Sequence, residues 1–164
     1  MQRASLLLKG MADYARGILA NSSKNGRSRP RRKNCALLIS ADRQVHADVQ
    51  QALQEQWDLL LAKNLREAQS LWRGREIGIV LLDRDTLPRD WRAAVSSLSN
   101  PPYLACVIVL SRAPGRNDWE EVVKLGGYEL LCGPAASENL LRAVKSGWSY
   151  WQSQQGLRVR KVLP

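Results

Sequence analysis

The sequence predicts an α/β domain: five parallel strands, each followed by a helix, wound with helices on both faces as a (βα)5 sheet. Three observations predict it. Short apolar runs recur between residues 35 and 132, stripes of helical period separate them, and the runs end abruptly at polar residues. Near-continuous apolar strands alternating with helices imply a parallel sheet buried on both sides. Right-handed crossovers then leave a doubly wound sheet as the simplest closure.

The elements follow in order. Residues 4–20 place Leu7, Met11, Tyr14 and Ile18 near one face, the pattern of a short amphipathic helix. Residues 21–34 (NSSKNGRSRPRRKN) are polar, basic and broken by Gly26 and Pro30, a linker composition. The five strand runs are 35–39 (CALLI), 57–61 (WDLLL), 77–82 (IGIVLL), 104–110 (LACVIVL) and 128–132 (YELLC). Val45, Val49, Ala52 and Leu53 mark the first core helix; Leu65, Ala68, Leu71 and Trp72 the second. Trp91, Val95 and Leu98 mark the third, and Trp119, Val122 and Val123 the fourth. Leu140, Leu141, Val144, Trp148 and Trp151 mark a longer fifth, in which Tyr150 points away from the two tryptophans. Trp72, Trp91 and Trp119 read as core anchors. The expected division is a basic helix and linker over 1–34, a domain over 35–152 and a basic tail over 153–164.

Charge narrows the function classes. Of the net +10, residues 1–34 hold nine Lys/Arg against one Asp, and 157–164 add three more basic residues. The middle is nearly neutral, so electrostatic binding of nucleic acid is an option for the tails alone. No apolar run approaches the ~20 residues of a membrane span, and Lys9 and Asp13 interrupt Leu6-Leu7-Leu8 too early for a secretory leader. The expectation is a cytoplasmic protein, with Met11 a second candidate start. Cys35, Cys106 and Cys132 are far apart in apolar runs and read as buried reduced thiols rather than zinc ligands.

In a doubly wound sheet the ligand site lies beyond the C-terminal strand ends. The residues there are Ser40-Ala41-Asp42, Asp83-Arg84-Asp85, Ser111-Arg112 and Gly133-Pro134. Four segments carry a resemblance. GGYELLCGP (126–134) is similar to the Gly-Ala-x-x-aromatic-x-x-Lys-Pro end of the fifth strand in receiver domains of bacterial two-component response regulators. VIVLS (107–111) resembles their fourth strand with its terminal Thr/Ser, and LLDRDTLPRDW (81–91) their third strand with the phospho-accepting Asp and a Leu-Pro. LLISADRQV (37–45) resembles the first strand and its acidic pair.

The resemblance implies the flavodoxin-like strand order 2-1-3-4-5 and a phosphorelay signalling role. It implies Asp83 as phospho-acceptor candidate, with Asp85 the alternative, because Pro88 lies one residue later than the family pattern; Thr86 is then an insertion, or Arg84 takes the aligned position. The departures are specific. Ser40 and Ala41 stand where the acidic pair belongs, with Asp42 one place later. Gly133 stands at the lysine position and Leu130 at the switch aromatic; Ser111 and Pro134 keep the family's residue types. Magnesium needs carboxylate oxygens, and losing one charged group at a transferring phosphoryl costs on the order of 10²-fold.

The expected function is therefore a stand-alone pseudo-receiver, not an enzyme, with no cofactor beyond weak Mg²⁺ at Asp42 and Asp83. It would act by binding a protein such as a histidine kinase, another receiver or an output protein. An active Asp83 acceptor and a nucleic-acid-associated regulator using the basic arm are the alternatives, and a mere loop-capping role for Asp83 and Asp85 is the plain structural one.

Overall fold

A computed structural model describes residues 33–133, 135 and 138–162, and the side chains of these up to residue 158. The amphipathic segment 4–20, most of the linker and Pro134 lie outside the described residues. Five strands form one all-parallel sheet: β1 (Asn34–Ile39), β2 (Trp57–Ala62), β3 (Ile79–Asp83), β4 (Cys106–Ser111) and β5 (Glu129–Cys132). Their order is β2-β1-β3-β4-β5, the order expected from the resemblance. The helices are α1 (Arg43–Leu53), α2 (Leu65–Leu71), α3 (Trp91–Ser99), α4 (Asp118–Lys124) and α5 (Glu138–Val162); a 3-10 turn, Arg84–Thr86, follows β3.

Side-chain caps begin the first two helices. The Asp42 carboxylate accepts the Gln44 N–H at 2.8 Å, and the Asn64 side chain accepts the Glu67 N–H at 2.9 Å. Alternation along the strands then sends the apolar side chains to two cores. On one face Leu37, Ile39, Val80, Leu82, Val107 and Val109 meet α2, α3 and Val122 of α4. On the other, Ala36, Leu38, Ile79, Leu81, Ile108 and Leu110 meet Val49 and Leu53 of α1 and Leu140, Val144 and Trp151 of α5.

Trp91 is buried at 3% exposure, whereas Trp119 is 56% exposed and is no core anchor. Val122 points inward, so Trp119 and Val123, four residues apart, share the outer face of α4. Trp148 and Trp151 stack at 4.9 Å, and the Trp151 Nε1–H donates to the Leu104 carbonyl at 3.1 Å; Tyr150 points outward as expected. Helix α5 continues past residue 152 to Val162, so most of the basic segment read as a tail is helical. The cysteines differ from the expectation in part: Cys106 is buried and Cys35 half-buried, but Cys132 is exposed, because it ends β5 at the rim. Burial pushes the Cys106 thiol up to about 12 and raises Cys35 as well.

Candidate functional site

Register sets the site. Ile39 pairs with Leu82, Asp83 with Leu110, and Ser111 with Cys132. The residues at the ends of β1, β3, β4 and β5 therefore converge on one rim. Asp42, Asp83, Asp85, Ser111 and Gly133 line an open cleft of about 240 Å³ there, and Ser40 lies beneath it.

Asp83 is buried, at 2% exposure. Its Oδ2 accepts the Ser40 hydroxyl at 2.6 Å and its Oδ1 accepts the Asp85 N–H at 3.1 Å. The second bond caps the 3-10 turn and fixes Asp85 at the cleft. Asp83 thus caps a loop, as the plain reading expects, and also faces the cleft. The Ser40 Oγ also accepts the Asp42 N–H at 3.1 Å. Its carbonyl lies 2.6 Å from His46 Nε2, and a carbonyl only accepts, so Nε2 carries the hydrogen.

Thr86 links two loops. Thr86 Oγ1 accepts the Ala41 N–H at 3.1 Å and donates to the Asp83 carbonyl at 3.3 Å. It stitches the loops after β1 and β3 together. Ala41 contributes only that backbone donor. Gly133 has φ +103°, a conformation that disfavours any side chain, and a Cβ there would meet nothing within 4 Å.

Arg112, which the sequence places at the rim without a role, reaches two of the carboxylates. Its Nη2 lies 2.5 Å from Asp42 Oδ2 and its Nε 3.9 Å from Asp85 Oδ2. Its backbone N–H donates to the same Asp85 oxygen at 2.8 Å, while the Ser111 hydroxyl donates to Asp85 Oδ1 at 3.2 Å. The Gln44 N–H, then the Val45 N–H and Arg112, hold the Asp42 carboxyl below the ordinary carboxylate value against its desolvation. The only sequence signal was a basic residue directly after the strand-ending hydroxyl.

Around the rim, Arg84 Nη1 lies 2.5 Å from Asp118 Oδ2 on α4, without hydrogen-bond alignment. Arg84, then the Gly115 N–H, lowers the Asp118 carboxyl. Arg84 and Arg92 both lie over the Trp91 ring, at 5.2 and 4.5 Å, and Arg92 forks onto Glu121.

The donor set does not fit a magnesium ion. Such an ion needs near-octahedral oxygen ligands. Here Ser40 and Ala41 supply no carboxylate, both Asp83 oxygens accept from the chain itself, and Asp42 is committed to its cap and to Arg112.

No protein-family model and no curated protein sequence matches the chain. Solved structures do. A response regulator from Thermotoga maritima is 22% identical, with a TM-score of 0.65, over 71% of this chain and 98% of that one. The signal receiver domain of an HD domain-containing protein from Pseudomonas fluorescens Pf-5 is 20% identical, with a TM-score of 0.68, over 76% and 93%. A response regulator from Burkholderia pseudomallei, solved with a phosphorylated aspartic acid, a calcium ion and citrate, is 20% identical, with a TM-score of 0.61, over 77% and 75%.

Proposed function

We propose that this chain, which has the receiver fold of two-component response regulators, is a pseudo-receiver: a signalling module that works by binding a protein rather than by accepting a phosphoryl group. The observation that carries the reading is the state of Asp83. It is buried, and both its oxygens are held by Ser40 and by the Asp85 N–H. A nucleophilic carboxylate needs an exposed oxygen aligned with the phosphoryl group and cations to neutralise the developing charge. Neither an acidic pair nor a lysine is present at the matching positions, and each such loss costs on the order of 10²-fold.

Binding is what the rest of the fold can still do. Trp119 and Val123 on α4 are 56% and 43% exposed, and Tyr150 and Leu157 on α5 are 48% and 53% exposed. Exposed aromatic and aliphatic side chains at this density favour a protein partner. The partner classes are a histidine kinase, another receiver or an output protein. Among the described residues no helix is long and apolar enough to cross a membrane. The nucleic-acid reading rests on the 27–33 arm, which lies outside the described residues but for Lys33.

Intact-mass measurement after incubation with a small acyl phosphate and Mg²⁺ tests the reading. The expected result is no adduct. A stoichiometric adduct that disappears in Asp83→Asn, or in Asp85→Asn, would establish an active acceptor instead.

A further inference from the structure

We infer that Arg112 is a resident counter-cation, bridging Asp42 and Asp85 across the cleft and keeping divalent metal ions out of it. The inference rests on the pseudo-receiver reading and deepens it: it says what took the place of the lost cation site. Four carboxylates line the cleft, those of Asp42, Asp48, Asp83 and Asp85, and Arg112 is the one cationic side chain among its described lining residues. Carboxylates gathered at one rim repel each other unless a cation lies between them. The guanidinium supplies it, with Nη2 on Asp42 and Nε toward Asp85.

Geometry makes the bridge persistent. The Arg112 backbone is itself pinned, since its N–H donates to Asp85 at 2.8 Å, and the preceding Ser111 hydroxyl bonds the other Asp85 oxygen. The Gly133 N–H donates to the Ser111 carbonyl at 3.1 Å. The guanidinium therefore needs no long reach. It starts from a fixed Cα and closes a ring through the ends of β1, β3, β4 and β5. A metal ion entering this ring would have to displace a charge that is covalently attached to the rim.

The exposed pair alone would be weak, because Arg112 is 62% exposed and solvent screens it. Its consequence for a divalent ion is larger. Ion and guanidinium compete for the same two carboxylates, and they also repel each other at double the unit-charge energy.

Mn²⁺ added to the full-length chain, read by paramagnetic broadening of backbone amides, tests this. The wild type should show no saturable broadening at millimolar Mn²⁺. Arg112→Gln should show broadening confined to the loops around Asp42 and Asp85, saturating at a concentration about tenfold lower or better. Arg112→Lys, which keeps the charge, should stay close to the wild type. Equal Mn²⁺ responses in wild type and Arg112→Gln would overturn the counter-cation, as would an Arg112→Lys chain that binds as well as the glutamine variant. Arg112→Met repeats the comparison if Arg112→Gln does not fold. A phosphoryl adduct on the wild type would overturn the proposed function but not this comparison; equal Mn²⁺ binding would do the reverse.

Discussion

At the scale of single residues, Ser40 ties two aspartates together. It donates to Asp83 and accepts from the Asp42 N–H, so Ser40→Ala strips a partner from a buried carboxylate. The expected loss is about 1–3 kcal/mol, read as a lower urea midpoint at neutral pH; an unchanged midpoint would show that Asp83 does not depend on Ser40. Gly133→Lys, which places a lysine at the end of β5, should not confer phosphoryl uptake from a small acyl phosphate, read by intact mass. The φ of +103° strains any side chain there, at about 1–3 kcal/mol, and Ser40 and Arg112 remain in place. Acid should also weaken the fold. Asp42 and Asp118 both have carboxyls lowered in the folded state, by backbone N–H bonds first in one case and by Arg84 first in the other. Their contribution is present above the unfolded carboxylate value of about 4 and is lost as pH falls through the folded values. Asp118→Asn should flatten that acid limb in thermal melts recorded from neutral pH downward. The identities of these residues were legible in the sequence; their bonds were not. Nothing local says that Ser40 will reach Asp83, or that Arg112 will reach Asp42, since those partners meet only across the sheet.

At the scale of elements, helix α5 shows what periodicity can and cannot tell. The spacing of Trp148 and Trp151 puts them on one face, and they do stack, with Trp57 edge-on to Trp148 at 5.5 Å. What they cover was not readable: Gly78, before β3, where an added Cβ would lie 2.6 Å from Trp148 and 2.8 Å from Trp151. Both rings would have to move. Gly78→Ala should therefore destabilise by about 1–3 kcal/mol through overpacking, with a change in the near-ultraviolet signal of the tryptophans; a wild-type melt and spectrum would show that the rings yield freely. Helix α4 is the opposite case. Trp119, Val122 and Val123 fit two inward faces equally well in a helix of seven residues. The structure buries Val122 in the core with Val95 of α3, while Asp118 pairs with Arg84 in the turn after β3 and Glu121 with Arg92 of α3. A short amphipathic stripe leaves that choice to its neighbours.

At the scale of the molecule, parallel strands put the apolar runs that end at Asp83, Ser111 and Gly133 on one rim, whereas the strand order β2-β1-β3-β4-β5 was accessible only through the resemblance. The closure of that rim by Arg112 belongs to the assembled fold alone. Each face of the sheet is covered by helices from the 33–162 segment itself: α1 and α5 on one side, α2, α3 and α4 on the other. Among the described residues, fifteen buried side chains make up one core and fourteen the other, drawn from residues 36 to 151. A chain beginning at Lys33 retains every one of them, together with the Lys33 ammonium on the Gln54 carbonyl at the base of β1. It should therefore unfold in one cooperative transition with a melting temperature close to that of the full chain. A difference beyond about 4 °C would correspond to roughly 1 kcal/mol or more for a domain of this size. That result, or a broadened melt, would mean that residues 1–32 supply core contacts, and the domain boundary would have to move toward the N-terminus.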